Sequence, residues 1–101
     1  MNKSDSDNSV CQSQVIIVND KGLHARAAAK FVSLAAEYTS EVYVCCNGER
    51  VNADSIMELL MLACEKGKAV TIEATGPDAG DALGALIELI DDGFGENQSS
   101  Q

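Results

Sequence analysis

The dipeptide Asn47-Gly48, near the middle of the chain, constrains the fold more than any other feature. A two-residue type I′ turn needs positive φ at both central positions, and Asn-Gly is the strongest short-range signal for such a turn. Before it, residues 41–46 place Val42 and Val44 at alternate positions, which is typical of a half-buried strand. Residues 49–52 follow as a short return strand. The centre of the chain is therefore predicted to be an antiparallel β-hairpin.

The segments on either side of this hairpin switch between strand and helix periodicity. In chain order they are a β-branched strand at Val15–Val18, a helix from Ala25 to about Tyr38, a helix from a capping box at Ser55 to about Cys64, a strand at 70–75 and a helix from Ala79 to about Asp92. The order β-α-β-β-α-β-α predicts an α+β domain with one mixed or antiparallel sheet. We expect helices on one face of the sheet and solvent on the other.

The length and the end segments limit the organisation of the chain. A chain of 101 residues is one domain. Residues 1–11 and 95–101 are polar, so we expect disordered tails around a folded domain at 12–94. We also expect no secretory signal and no membrane insertion, because the first residues are polar and no apolar run is long enough. These features predict a cytoplasmic protein.

Charge and cysteine content exclude several classes of partner. The net charge of −9 would repel nucleic acid and anionic membranes, so we expect neither. Cys11, Cys45, Cys46 and Cys64 form no CxxC pair, and a single histidine cannot complete a zinc site at these spacings. We therefore expect no metal, no cofactor, and reduced thiols that pack as small hydrophobic side chains.

His24, the only histidine, stands at the predicted start of the first helix. The N–H groups of a first helical turn have no intrahelical acceptor, and Arg26 adds a planar guanidinium suited to phosphate oxygens. A neutral imidazole is also a nucleophile. An isolated histidine is more often a surface residue without a role, but this setting favours a ring that carries a phosphoryl group. Arg26 and the N–H groups of Ala25 and Ala27 would hold that group.

The run Gly22-Leu23-His24-Ala25-Arg26 strongly resembles the active-site loop of the histidine-containing phosphocarrier (HPr) family. The resemblance continues, in the family's order, through the segments 28–32, 47–48, 51–57, 59–62, 73–83 and 87–94, and it covers about 12–94. It implies an open-faced β-sandwich, with four antiparallel strands and three helices on one face.

The resemblance also implies a phosphoryl relay. His24 would accept a phosphoryl group from phosphorylated enzyme I, usually through Nδ1 (the pros position), and Arg26 would support the group. A downstream enzyme II A-type component of the phosphotransferase system would receive it, for sugar uptake or its regulation. Such a protein is a stoichiometric carrier that forms a phosphohistidine intermediate, and it is not an enzyme in the strict sense.

Departures from the family pattern leave alternatives open. Ala27 stands where the family usually has proline, for which we expect altered transfer kinetics. Ser33, Asp54 and Glu58 occupy places that are frequently basic. A nitrogen-related regulatory branch of the relay is one alternative. A regulator that binds partners through the same face without relaying phosphate is the other.

A second group of candidate residues begins at Ser55. This serine is explained as the N-cap of the second helix, with Glu58 as its capping-box partner. The resemblance adds regulatory phosphorylation of Ser55 by a serine kinase/phosphorylase. It also implies that a surface near the histidine docks enzyme I, and the candidates are Ala29, Ile56, Met57 and Leu60, although core packing is the alternative for apolar residues of this helix. We expect a monomer.

Overall fold

The chain folds into a single antiparallel sheet with three helices on one face. The computed structural model describes residues 10–96. Its elements are β1 (Val10–Ile16), α1 (Ala25–Ala35), β2 (Glu41–Cys46), β3 (Glu49–Asn52), α2 (Ile56–Met61), β4 (Ala69–Thr75), α3 (Ala79–Asp91) and a 3₁₀ turn (Gly93–Gly95). The strand order is β1-β4-β2-β3, and every pairing is antiparallel, which confirms the predicted fold class. Over the described stretch, none of the helices has the length and apolar character that crossing a membrane requires.

The predicted hairpin is confirmed. Asn47 and Gly48 have φ angles of 54° and 81°, as a type I′ turn requires, and Cys46 pairs with Glu49 across the turn. Asn47 also donates from Nδ2 to the carbonyl of Leu62 at 2.9 Å. The turn therefore closes the hairpin and also anchors the end of α2.

The core lies between the helices and one face of the sheet. Alternate residues of β4, Val70, Ile72 and Ala74, are buried there, and they face aromatic and aliphatic side chains of the helical layer. The largest fully buried side chains of that layer are Phe31, Leu59, Leu86, Ile90 and Phe94. On the opposite face, Arg50 Nε donates to Glu73 Oε1 at 3.0 Å, and its guanidinium stacks on Tyr43. The second face is thus polar and open to solvent.

Some predicted boundaries are wrong. β1 runs over Val10–Ile16 and not over Val15–Val18, so Val10 and Cys11, expected in a tail, pair with Thr75 and Ala74. Propensity identified the β-branched end of the strand but missed its polar beginning, which only cross-strand pairing stabilises.

The helical ends differ as well. α1 ends at Ala35, and α2 ends at Met61, before Ala63 adopts a positive φ of 53°. Gly95 and Glu96, expected in the C-terminal tail, belong to an ordered turn. The remaining parts of the two predicted tails, residues 1–9 and 97–101, lie outside the described residues.

The prediction that all four cysteines are reduced is wrong for two of them. Cys46 and Cys64 form a disulfide with a Cα–Cα separation of 6.2 Å, while Cys11 and Cys45 are free. The pair is 18 residues apart in sequence, and only the packing of the segment after α2 against the end of β2 brings the sulfur atoms together. Both residues are buried, in agreement with the expected packing of cysteines as apolar side chains.

Candidate functional site

The loop before His24 is fixed by close backbone contact with the segment that follows α2. Leu23 is buried and donates its N–H to the carbonyl of Cys64 at 2.9 Å. Gly22 has a φ of +66°, and a Cβ there would lie 2.7 Å from the Cys64 oxygen. Any residue larger than glycine would therefore push the loop away from its anchor.

His24 is the N-cap of α1, as predicted. Its backbone is extended (φ −87°, ψ −177°), and its carbonyl accepts the first helical hydrogen bond from Ala28 at 2.8 Å. Its ring Nδ1 accepts a hydrogen bond from the N–H of Arg26 at 3.3 Å. The ring therefore lies over the first turn, where the N–H groups of Ala25 and Ala27 have no intrahelical acceptor. The side chain is 25% exposed, so a partner can reach it.

The other ring nitrogen bonds a carboxylate that the sequence did not point to. His24 Nε2 is hydrogen-bonded to Glu96 Oε2, and Glu96 Oε1 accepts from Asn19 Nδ2 at 2.9 Å. Burial raises the pKa of Glu96, but the hydrogen bonds from Asn19 and His24 lower it, as do the charge of Lys21 and that of His24 when its ring is protonated, and the pKa lies below its usual value overall. Glu96 is thus a carboxylate at neutral pH.

The ordered C-terminal turn brings Glu96 to the ring. Gly93, Phe94 and Gly95 all have positive φ, and the Phe94 side chain is fully buried. Lys30 Nζ, from α1, donates to the Phe94 carbonyl at 2.7 Å. The available sequence signal was this buried aromatic residue between two glycines, which anchors the chain just before Glu96.

Arg26 reaches the site through its backbone. The N–H contacts His24 Nδ1, whereas the guanidinium is exposed and has no hydrogen bond or ion pair with any residue in 10–96. The structure therefore brings the Arg26 backbone to the ring and gives its side chain no polar partner in 10–96.

The second group of candidates surrounds α2. Ser55 is its N-cap, and its Oγ accepts from the Glu58 N–H at 3.1 Å, as predicted. Ile56 and Met57 are exposed, whereas Leu60 is half-buried and packs on the core. Ala29, on α1, is half-buried. Met61, which was not among the predicted contact residues, is 74% exposed and adds to the apolar surface of α2.

The site is better suited to contact with a partner macromolecule than to enclosure of a small-molecule ligand. A groove of about 340 Å³ in the described surface is lined by residues of α1, β2 and the segment 52–54, and His24 is not among them. The ring instead lies partly exposed at the end of a helix, beside free N–H groups. This arrangement can receive and hold an anionic group presented by a partner protein.

Comparisons with known proteins agree with this arrangement. The model of the PTS HPr component phosphorylation site matches residues 11–92. The phosphocarrier protein HPr of Cupriavidus necator is 46% identical over 87 residues, which cover 86% of this chain and 98% of that protein. The phosphocarrier protein NPr of Shewanella violacea is 42% identical over 83 residues, 82% of this chain and 91% of that one.

A solved structure shares the fold as well. The crystal structure of HPr-C-His from Thermoanaerobacter tengcongensis superposes with a TM-score of 0.81 at 40% identity, covering 85% of this chain and 97% of that one. The match includes the four strands and three helices described above. The chain therefore belongs to the HPr family of phosphotransferase-system phosphocarriers.

Proposed function

We propose that His24 is the residue on which this HPr-family phosphocarrier receives a phosphoryl group from phosphorylated enzyme I. A downstream enzyme II A-type component then takes the group from the same residue. The observation that carries the proposal is the hydrogen bond from the Arg26 N–H to His24 Nδ1. A nitrogen that accepts a hydrogen bond carries a lone pair and no hydrogen, and this nitrogen lies at the positive end of α1.

The transfer is a simple displacement at phosphorus. The Nδ1 lone pair of His24 forms a bond to phosphorus while the bond between phosphorus and the donor breaks, and its electron pair stays with the donor. Each carrier molecule accepts one phosphoryl group as a substrate of enzyme I and must pass it on before it accepts another, so it acts stoichiometrically and is not an enzyme in the strict sense.

The first turn of α1 supplies the stabilisation of the product. The N–H groups of Ala25 and Ala27 have no intrahelical acceptor, and the Arg26 N–H would pass from Nδ1 to a phosphoryl oxygen once Nδ1 is bonded to phosphorus. The Arg26 guanidinium is exposed without an ion pair in 10–96. These donors form a local exception in a chain whose net charge is −9. Alanine at position 27 retains an N–H that proline would lack.

The apolar surface of α2 supports the docking part of the proposal. Ile56 and Met57 are neighbours on α2 and are 39% and 67% exposed, and apolar side chains exposed together are a feature of binding surfaces. Together with Ala29 and Leu60 they form the proposed contact for enzyme I. We place the protein in the cytoplasm as a monomer, where a serine kinase/phosphorylase acting on Ser55 would regulate docking.

The nitrogen-related branch remains a second candidate. Ser33, Asp54 and Glu58 are all exposed, so the surface carries acidic and neutral groups where basic ones are frequent. Charge complementarity selects partners and sets association rates. Parallel assays with a sugar-type and a nitrogen-type enzyme I would separate the two branches, because the cognate donor should react faster.

Incubation with phosphoenolpyruvate and enzyme I tests the proposal. We expect one acid-labile phosphate per chain, observed by intact mass and ³¹P NMR. The His24→Ala variant should take up none, and the Ser55→Ala variant should take up as much as the parent. A parent that stays unphosphorylated with either type of enzyme I, or a labelled His24→Ala variant, would contradict the proposal and would favour a regulator that does not relay phosphate.

A further inference from the structure

Glu96 holds the His24 ring on the side away from Nδ1. One carboxylate oxygen bonds His24 Nε2, and the other accepts from Asn19 Nδ2 at 2.9 Å. We propose that Glu96 is a positioning residue that fixes the His24 imidazole as the Nε2–H tautomer, so that Nδ1 carries the lone pair that attacks phosphorus when the Arg26 N–H releases it. This inference deepens the proposed function and rests on it.

The neighbours of the two ring nitrogens define where the ring hydrogen lies. The backbone N–H of Arg26 can only donate, so Nδ1 must present its lone pair. A carboxylate can only accept, so Nε2 must carry the hydrogen. One contact comes from a residue two positions away and the other from a residue 72 positions away, and both select the same tautomer.

The Glu96 carboxylate also stabilises the positive charge that the His24 ring acquires during transfer. When Nδ1 bonds phosphorus, Nε2 keeps its hydrogen and the ring becomes positively charged. The negative charge of Glu96 beside Nε2 stabilises that form, in the way a buried aspartate stabilises the imidazolium of a serine protease. When the phosphoryl group leaves, the ring returns to the same neutral tautomer. No proton has to move in either direction.

Asn19 fixes the position of the carboxylate. It is fully buried, and its Nδ2 donates to the Gly22 carbonyl at 2.8 Å as well as to Glu96. Its Oδ1 is buried without a hydrogen-bond partner among the described residues. The opposite amide orientation would place Oδ1 against both of these oxygens, so the present orientation is the favourable one. Asn19 thus ties the loop before His24 to the carboxylate behind it.

Two variants of Glu96 remove the contact in different ways. Glu96→Ala deletes it. Glu96→Gln keeps the size but offers one acceptor and one donor, so it cannot accept from both Asn19 and His24. Glu37→Gln is the matched control, because Glu37 is exposed beyond the opposite end of α1 and its substitution changes the net charge equally.

The first measurement is the tautomer of His24, which does not depend on phosphorylation. His24 is the only histidine, so ¹⁵N spectra of the histidine-labelled protein contain one ring. In the parent and in Glu37→Gln we expect an unprotonated Nδ1 and a protonated Nε2 with a slowly exchanging hydrogen. In both Glu96 variants the two nitrogen shifts should move towards each other, and the exchange should become faster.

The second measurement is the rate of phosphorylation by enzyme I. We expect kcat to fall about 10-fold in both Glu96 variants, the effect of one lost charge-assisted hydrogen bond, with little change in KM for the carrier. Glu37→Gln should match the parent. Thermal unfolding checks that the variants are folded.

The outcomes separate this inference from the proposed function. A parent with hydrogen on Nδ1 overturns the inference, as does a parental kcat in both Glu96 variants, while phosphorylation of His24 would still support the relay. A parent that is not phosphorylated at all overturns the proposed function, whatever the tautomer.

Discussion

Arg26 contributes to the site in two separable ways. Its backbone N–H contacts His24 Nδ1, and this contact is independent of the side chain. Its guanidinium is exposed, and we propose that it binds the phosphoryl group with two parallel donors, a geometry that lysine cannot reproduce. The side chain should therefore matter for transfer and not for folding.

We expect Arg26→Ala to lower the rate of phosphorylation about 10-fold, because one charge-assisted contact to the phosphoryl group is lost. Its stability should remain within about 0.5 kcal/mol of the parent, since the side chain is exposed. Arg50→Ala is the control: it removes the same charge on the open face of the sheet, beside Glu73. Quench-flow with enzyme I measures both rates. Equal rates for Arg26→Ala and the parent would contradict a role for the guanidinium.

At the scale of elements, the segment after α2 connects the hairpin to the His24 loop. Cys64 is linked to Cys46 at the end of β2, and its carbonyl accepts from the Leu23 N–H. Asn47 holds the same segment through the carbonyls of Leu62 and Ala63. The end of β2, the end of α2 and the start of the site therefore share one set of contacts.

Reduction of the Cys46–Cys64 disulfide should lower the free energy of unfolding by about 2–4 kcal/mol, because the unfolded chain regains the freedom of the closed loop. Urea unfolding with and without dithiothreitol measures the difference. Cys45→Ser alters a free thiol and is the control. Dithiothreitol should lower its free energy of unfolding by as much as it lowers that of the parent. Titration of four thiols in the denatured, unreduced protein would contradict the disulfide; we expect two.

At the scale of the whole molecule, Asp78 ties the start of α3 to the start of β2. Its Oδ2 accepts from the Thr39 N–H and its Oδ1 from the Ser40 N–H, each at 2.9 Å, and Ser40 Oγ also donates to Oδ1. The Ser40 hydroxyl, followed by the Thr39 N–H and the second Ser40 contact, lowers the pKa of Asp78. Thr39 is 39 positions from Asp78 in the sequence, and Ser40 is 38 positions from it. The contacts therefore join distant parts of the chain.

The sign of the pH dependence follows from this lowered pKa. Asp78 binds its proton more weakly in the folded chain, so its contribution to stability is complete above its ordinary pKa of 3.8. The contribution is lost as the pH falls through the lower pKa of the folded state. We expect Asp78→Asn to be less stable than the parent at pH 7 and the gap to shrink towards pH 2. Urea unfolding across this pH range measures the difference in stability between the variant and the parent. A difference that stays constant with pH would contradict a lowered pKa for Asp78 in the folded chain.

Much of the fold and part of the site followed from local sequence. Asn47-Gly48 predicted the turn, residues 70–75 predicted β4, and His24 was correctly placed as an N-cap. The polar start of β1 was missed because its stability comes from β4. The roles of His24, Arg26 and Ser55 in phosphoryl transfer and regulation stay predictions.

The sequence by itself determined where the chain turns, which faces are apolar and where free N–H groups gather around His24. These properties depend on φ preferences and on side-chain spacing over a few residues. Only the tertiary structure placed Glu96 on the ring, 72 residues away, and joined Cys46 to Cys64. Local periodicity reports which face a residue occupies, but packing of the whole core decides which distant residues meet. The nucleophile was therefore visible in the sequence, and the carboxylate that orients it was not.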